Sequence, residues 1–403
     1  DVCSSDLAAG LSSTSNFEMS QQFPKATKDT VFVNEMQLTA RQWLLVGGIA
    51  FAFLALAPWV WRQAERFETG ADYRIPYTLS KDYWLWQRRL KELPPASAVV
   101  LGDSVVWGEY VLPDGTLSHF LNAAPARPDA FANVGVNGLF PLALEGLVEH
   151  YGDALRQRKV LLNCNLLWLS SPKADLQTTK EERFNHARLV PQFSPRIPCY
   201  RADASERLGV VMERNLPVLA WVNHLQNVSF NQKSIPDWSL EPDPNNPLIH
   251  PNAHKNPFAQ LTLRVPTAPD SDPERGPASA RHKPWSTTGE ATTRFEWVTL
   301  DSSLQWAAFQ RLTMLLRARG NDVLVVVGPF NEHMMAAENR TAYQQLRDGV
   351  AAWLTANQVP HVLPAPLASP LYADASHPLT EGYRELAEQL RADAAYQRWA
   401  SPR

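Results

Sequence analysis

The sequence predicts an α/β domain in which a parallel β-sheet carries helices on both faces. Three short runs rich in valine, leucine and alanine end in or near glycine or asparagine: "ASAVVLG", "AFANVGVNG" and "RKVLLNCNLLWL". Other segments place apolar residues three or four apart, as in "SLQWAAFQRLTMLLRARG", which stops at Gly320. Strands that alternate with helices favour parallel pairing, and such sheets carry their chemistry at the carboxyl ends of the strands.

The remaining elements continue this alternation. An amphipathic helix is predicted ahead of the first strand, in "KDYWLWQRRLKEL", and another leads into the third strand, in "PLALEGLVEHYGDALRQR". A fourth strand, a helix, a short strand and one closing helix are predicted in "NDVLVVVGPFN", "YQQLRDGVAAWLTANQ", "VPHVLPA" and "TEGYRELAEQLRADAAYQRWA".

Composition narrows the classes of partner. The chain has 403 residues, 45% of them hydrophobic, which is enough for one large domain or two modest ones. Its formal net charge is -3, and lysine and arginine form no long cluster, so nucleic acid is not an expected partner. Cys164 and Cys199 permit one disulfide without establishing it, and no cysteine pair has metal-binding spacing. We expect no metal and no organic cofactor.

The first 42 residues are interpreted as a tail. Its beginning, "DVCSSDL" at 1–7, resembles a cloning or assembly remnant and includes Cys3; the natural start is then Met19 or Met36. A disordered leader is the alternative.

Residues 43–61, "WLLVGGIAFAFLALAPWVW", contain no charged side chain and are long enough to cross the hydrocarbon core of a bilayer. Tryptophans stand at both ends, where aromatic rings favour the membrane interface. A buried core helix is one alternative, and a signal peptide cleaved after Ala57 is another, although Pro58 disfavours that cleavage. The segment predicts an uncleaved transmembrane anchor, and the flanking basic residues leave its orientation open.

A domain at 67–403 follows, with an interruption of the strand–helix pattern at about 170–299. This interval is dense in proline, asparagine and aspartate, and a loop of that length inside a domain is usually functional. A disordered linker is the alternative, but aromatic residues such as Trp221, Phe258 and Trp285 are typical of packed segments. We interpret the interval as an insertion that forms a lid or wall over one end of the sheet.

Polar residues follow the predicted strands where parallel sheets carry their chemistry. Ser104 follows the first strand in "GDS", and a serine nucleophile needs a base. Asp374 and His377 stand together in "YADASHPLTEGY", where the aspartate can orient the imidazole that takes the serine proton. Gly138 and Asn165 end the next two strand segments. The N–H groups of Ser104 and Gly138 and the side-chain amide of Asn165 predict an oxyanion hole. Each residue alone is also typical of a plain turn or a helix cap.

In this order the motifs resemble the SGNH (GDSL-type) serine hydrolase superfamily. "GDS", "NVGVNG", "NCN" and "DASHP" occupy the places of its four blocks. The resemblance implies a flavodoxin-like three-layer α/β/α sandwich and ester hydrolysis or acyl transfer. The third block departs from the family pattern, since Asn163 replaces its glycine and Leu166 its acidic residue.

Four further residues are candidate substrate contacts. Trp107 and Trp168 stand three residues after Ser104 and Asn165, where aromatic faces suit a sugar ring, although core packing is the alternative for each. Asn331 and His333 leave the fourth strand at the same edge, with a capping cluster as the alternative.

With its anchor, the chain resembles the envelope-associated branch of the superfamily, whose members add, move or remove acyl groups on cell-surface glycans. The expected activity is that of an anchored serine esterase or acyltransferase on O-acyl esters, acetyl above all, of an envelope glycan. This implies an extracytoplasmic domain, periplasmic or at the cell surface, and leaves room for polysaccharide-modification partners. The alternatives are a non-catalytic glycan-binding or assembly protein on the same fold and a lipase-like esterase for hydrophobic esters.

Overall fold

A computed structural model describes residues 38–70, 72–123, 130–182, 184–241, 255–266, 283–286, 288–289 and 293–401. The chain falls into two compact units, 1–52 and 53–403. The predicted remnant at 1–7 with Cys3 and the candidate starts Met19 and Met36 lie outside the described residues.

The sheet of the second unit has five strands, and every pair is parallel. The strands are β1 (Ala98–Leu101), β2 (Phe131–Asn133), β3 (Lys159–Cys164), β4 (Asp322–Val327) and β5 (His361–Val362). Their order is β2-β1-β3-β4-β5, so the chain leaves β1 toward one edge, returns, and continues from β3 toward the other. This reversal opens a crevice at the carboxyl ends of β1 and β3. The predicted parallel α/β sheet is confirmed.

Thirteen α-helices are present in the described part of the chain. They are α1 (Ala40–Ala64), α2 (Tyr83–Glu92), α3 (Ser104–Trp107), α4 (Leu117–Asn122), α5 (Pro141–Tyr151), α6 (Ala204–Asn215), α7 (Pro217–Ser229), α8 (Ile235–Leu240), α9 (Pro257–Gln260), α10 (Leu304–Ala318), α11 (Arg340–Ala356), α12 (Thr380–Ala392) and α13 (Ala394–Ala400).

The predicted single closing helix is wrong, because α12 and α13 are separate. The side chain of Asp393 accepts hydrogen bonds from Ala395 N (2.7 Å) and Tyr396 N (3.2 Å) and so begins a new helix. Helices α6 and α7 are likewise separate, because Pro217 is tolerated in the first turn of α7 but not in the interior of a longer helix.

Successive strand residues feed two cores on opposite faces of the sheet. In β1, Val99 and Leu101 pack with α5 and α10, whereas Val100 packs with α4 and α12. Both faces are therefore covered, which explains why the strands are apolar throughout rather than alternating with polar residues.

Helix α1 contains the whole predicted anchor at 43–61. Among the described residues it is the one helix long and apolar enough to cross a membrane, and almost all of its apolar side chains are exposed.

The described part of the insertion supplies α6 to α9 and adds no strand to the sheet. Cys164 and Cys199 are both buried, and neither forms a disulfide.

A group of buried ionisable side chains joins α2 to α7 and to the residue that follows α1. We call it the charge cluster, and it consists of Glu65, Asp82, Arg88 and His224. Asp82 caps α2 through Oδ1, which accepts from Leu85 N (2.9 Å), and its Oδ2 lies 2.7 Å from Nδ1 of His224. Nε2 of His224 lies 2.9 Å from Oε1 of Glu65, whose Oε2 lies 2.5 Å from Arg88.

Candidate active site

Ser104 is the first residue of α3, directly after the end of β1. Gly102 is required at this turn, because a Cβ there would lie 2.6 Å from Cγ2 of Val106 and 2.9 Å from Cβ of Asn163. Asp103 caps the helix, its Oδ1 accepting from Val105 N at 2.9 Å. The sequence thus stops the strand and fixes the serine at the crevice between β1 and β3.

The three residues of the predicted triad meet in the structure. Oγ of Ser104 lies 2.8 Å from Nε2 of His377, and Nδ1 of His377 lies 2.8 Å from both carboxylate oxygens of Asp374. Both contacts are within hydrogen-bonding distance. Their order is the one required of a nucleophile, a base and a group that orients the base. The serine and histidine are 273 residues apart in sequence.

The loop that carries Asp374 and His377 is held by its own backbone. Oδ1 of Asp374 accepts from the N–H groups of Ser376 and His377, both at 2.9 Å. The Ala373 N–H donates to the His377 carbonyl at 2.8 Å. A four-residue turn therefore sets the orientation of the imidazole before any substrate binds.

Burial and neighbouring charges have opposing effects on the pKa values of His377 and Asp374. Burial by itself lowers the pKa of His377, but Asp374, and after it Glu109 and Asp103, outweigh this and raise the pKa above its ordinary value. Burial by itself raises the pKa of Asp374, but the imidazole and two backbone N–H groups lower it to about 2. Asp374 is therefore ionised at neutral pH and holds a proton on Nδ1 of His377.

Gly138 lies in the left-handed region, with φ +70°, where glycine is favoured. A Cβ at this position would come within 2.2 Å of Nδ2 of Asn185, a residue of the insertion that lies directly against it. The glycine permits this close approach.

The side chain of Asn165 is already engaged. Its Nδ2 donates to Oδ2 of Asp103 at 2.8 Å and to Oγ of Ser376 at 3.3 Å, and its Oδ1 accepts from Leu167 N. The expected donor thus stands beside the triad, but both of its amide hydrogens have protein partners. The longer bond to Ser376 is the weaker of the two.

Trp107 and Trp168 do not flank an open pocket. Trp107 is 4% exposed, its indole donates to the Ile75 carbonyl at 2.7 Å, and Arg74 lies over its ring. Trp168 is 3% exposed and donates to Oδ2 of Asp103 at 3.0 Å. The prediction of substrate contact is corrected for both rings, because both pack in the interior.

Asn331 and His333 also bind protein groups. Asn331 is fully buried; its backbone N–H donates to the Ala375 carbonyl (2.8 Å) and its Nδ2 to the Asp374 carbonyl (3.1 Å). Nε2 of His333 lies 3.0 Å from the Leu367 carbonyl. Asn331 therefore supports the loop of Asp374 rather than a substrate, and this prediction is also corrected.

A cavity of about 330 Å³ adjoins Gly138. Phe140, Leu176, Phe184 and Val190 supply apolar walls, and Asn185, His186 and Gln305 supply polar ones. Most of the residues that line this cavity belong to the insertion at about 170–299.

Sequence reasoning missed two carboxylates. Asp103 is buried and binds Val105, Asn165 and Trp168 together, and its place within "GDS" is a signal that was available. Oε2 of Glu109 lies 3.2 Å from Nε2 of His377. Glu109 follows Ser104 by five residues, and no periodicity marks it, because the turn at Gly108 sends it back to the site.

The described residues therefore bring a serine, a histidine and an aspartate together at the carboxyl edge of a parallel α/β sheet. Comparison with models of known protein families gives no match, and a search of curated proteins gives none.

Proposed function

We propose that this protein is a membrane-anchored serine esterase or acyltransferase of the SGNH type, acting on O-acyl esters of a cell-envelope glycan. The observation that carries the proposal is the continuous contact of Ser104, His377 and Asp374. The strand order β2-β1-β3-β4-β5 supports it, since this is the order of flavodoxin-like sheets, which bind ligands at the β1/β3 reversal.

The reaction begins when Oγ of Ser104 attacks the ester carbonyl carbon. Nε2 of His377 accepts the serine proton, and Asp374 stabilises the imidazolium through Nδ1. The carbon–oxygen bond to the leaving alcohol then breaks, and His377 returns the proton to that alcohol. Water or a sugar hydroxyl next attacks the acyl-serine and gives its proton to Nε2 of His377. The bond between the acyl carbon and Oγ of Ser104 then breaks, His377 returns the proton to that oxygen, and the acid or a new ester leaves.

The oxyanion of each tetrahedral intermediate needs donors that face it. The N–H groups of Ser104 and Gly138 are assigned to this role. Asn165 joins them when the oxyanion replaces its long bond to Ser376, while the bond to Asp103 keeps the amide in place.

Helix α1 is assigned as the uncleaved membrane anchor, with the catalytic domain outside the cytoplasm. A single helix of 25 residues that exposes its apolar side chains supports this, since such a surface is otherwise unstable in water.

The test is hydrolysis of aryl acetate and aryl butyrate by the full-length protein in detergent, beside Ser104→Ala. Ser205→Ala, which removes an exposed hydroxyl on α6, is the matched control. Turnover and fluorophosphonate labelling that both vanish in Ser104→Ala alone support the proposal. Labelling without turnover identifies a transferase that lacks its acceptor. A folded protein with neither contradicts it.

A second candidate, an esterase for hydrophobic esters, is favoured by the cavity beside Gly138. Its apolar walls from Phe140, Leu176 and Phe184 suit an acyl chain longer than acetyl. Faster turnover of the butyrate than of the acetate favours this candidate, and the reverse preference favours the glycan ester.

A further inference from the structure

The segment after α3 returns a carboxylate to the catalytic histidine. Gly108 ends α3 in the left-handed region with φ +88°, and the N–H of Glu109 donates to the Ser104 carbonyl at 3.0 Å. This turn places Oε2 of Glu109 3.2 Å from Nε2 of His377, the nitrogen that also faces Ser104. Glu109 is 8% exposed, so its charge is little screened by solvent.

Neighbouring residues hold this turn in place. The guanidinium of Arg74, itself buried, donates to the carbonyls of Trp107 (3.0 Å), Gly108 (2.5 Å) and Val111 (2.9 Å). Tyr110 has φ +70°, a conformation that costs a residue with a side chain about 1 kcal/mol. Its ring meets the ring of His377 edge-on at 5.5 Å. Backbone strain of this kind persists where surrounding contacts determine it, and it is common at functional sites.

Ionisable groups surround the imidazole on several elements. Asp374 accepts from Nδ1 on the same loop, Asp103 lies at the start of α3, and Glu109 lies after its end. On α12, Tyr383 is within the field of these three carboxylates and of Arg74, and its hydroxyl donates to the Val105 carbonyl. Of the carboxylates, Glu109 is the one in direct contact with Nε2.

The contact has opposite consequences for the two forms of His377. In the neutral form, Asp374 holds the proton on Nδ1, and a carboxylate at 3.2 Å repels the lone pair of Nε2. In the imidazolium, the same carboxylate accepts the Nε2–H. Glu109 therefore stabilises the protonated histidine, both in the resting enzyme at low pH and after the serine has given up its proton.

We propose that Glu109 is a positioning residue that acts through His377 and sets the pH at which Ser104 becomes nucleophilic; this rests on the proposed function. Removing its charge makes His377 a weaker base. Ser104 then becomes nucleophilic at lower pH. The maximal rate at high pH also falls, by a factor smaller than the loss of basicity of His377, because the rate of proton transfer depends only partly on the strength of the base. A residue with a purely structural role produces no such opposed pair of changes.

The experiment measures the rate at which a fluorophosphonate labels Ser104 in the full-length protein. In this step the Ser104 oxygen forms a bond to phosphorus, the phosphorus–fluorine bond breaks, and His377 takes the proton. Rates are measured between about pH 5 and about pH 10, a range that spans the titration of a histidine with a raised pKa. Glu109→Gln is compared with wild type, and Glu381→Gln, an exposed carboxylate on α12, is the matched control.

We expect the midpoint of the acid limb to fall by about one pH unit in Glu109→Gln, as for loss of one adjacent charge, with a lower plateau. Glu381→Gln should match wild type. If Glu109→Gln does not fold, Glu109→Asp, which withdraws the carboxylate by one methylene, should lower the midpoint by less. An unchanged midpoint in the folded variant overturns the inference and leaves the proposed function standing. A wild-type Ser104 that is unlabelled at every pH overturns both.

Discussion

His224 in the charge cluster and His377 in the candidate active site are both buried, and each stands between carboxylates. Nδ1 and Nε2 of His224 face Asp82 and Glu65, at 2.7 and 2.9 Å. Nδ1 of His377 faces Asp374 in the same manner, but its Nε2 faces the hydroxyl of Ser104 as well as Glu109. The two sites differ mainly in what faces the second nitrogen.

That difference separates a structural ion from a group that is able to act as a base. Two carboxylate acceptors require two N–H donors, so His224 is an imidazolium, and burial, which alone lowers its pKa, is outweighed by Asp82 and Glu65, which raise it to about 9. It has no lone pair to accept a proton. At His377 the serine can donate, so the imidazole can lose and regain the Nε2 proton during a reaction.

The largest expected contrast in catalytic rate comes from making the same substitution in the aspartate that faces Nδ1 of each histidine. Asp374→Asn should lower kcat for an aryl ester on the order of 10⁴-fold, because the amide no longer holds the productive tautomer. Asp82→Asn should leave the rate per folded molecule within about twofold of wild type, since it lies outside the site. Steady-state kinetics normalised to the folded fraction check this. Equal losses in both variants would contradict the separation of roles.

Stability should show the reverse order. Asp82→Asn removes one partner of a buried ion pair and should lower the free energy of unfolding by about 3 kcal/mol or more. Asp374 has 33% of its side-chain surface exposed, so Asp374→Asn should cost less. Thermal melting of both variants in the same detergent measures the contrast, and a smaller loss in Asp82→Asn would break it.

The pH dependence of stability should carry the signature of His224. Its pKa is raised, so its contribution is complete below the ordinary value near 6.5 and is lost as the pH rises to about 9. The loss is on the order of 3 kcal/mol. The raised pKa of His377 changes stability in the same direction, so the contribution of His224 is isolated by comparing wild type with His224→Gln. The variant should be less stable than wild type near neutral pH. Between neutral pH and about pH 9.5 its free energy of unfolding should fall by less than that of wild type. Plots of melting temperature against pH that run parallel for the two proteins would contradict the assignment of this pH dependence to His224.

The smallest expected effect lies at the rim of the charge cluster. Arg88 pairs with buried Glu65 and, at 2.7 Å, with Glu92, whose side chain is 40% exposed. Glu92→Gln should cost about 0.5 kcal/mol or less, whereas Glu65→Gln should cost several times more. Melting temperatures in low and high salt check this, since only the exposed pair should respond to salt. A large, salt-independent loss in Glu92→Gln would be inconsistent with it.

Local patterns explain what the sequence could predict. The strands and most helices follow from apolar periodicity, and the placing of Ser104, Asp374 and His377 follows from turn chemistry after strands and before a helix. The break at Asp393 was also locally visible, since aspartate is a strong helix cap, but the apolar pattern continues through it.

The features that the sequence could not predict depend on contacts between segments that are distant along the chain. His224 meets Asp82 across 142 residues, and no periodicity connects them. Glu109 reaches His377 within a turn in which Gly108 and Tyr110, on either side of it, both have positive φ. The burial of Trp107 under Arg74 depends on a segment ahead of the sheet. Side-chain partners of this kind are decided by packing, which the sequence pattern does not encode residue by residue.

The separation of 273 residues between Ser104 and His377 also has a consequence in time. A ribosome adds about 5 to 20 residues per second, so the serine is synthesised roughly 14 to 55 s before its base. Helix α12 docks beside the serine, where the Tyr383 hydroxyl donates to the Val105 carbonyl. Until it does so, the Ser104 hydroxyl of the nascent polypeptide has no imidazole beside it. If the proposed function holds, a product truncated anywhere before His377 lacks the base and has no esterase activity, so the proposed reactive centre is completed among the last steps of biosynthesis.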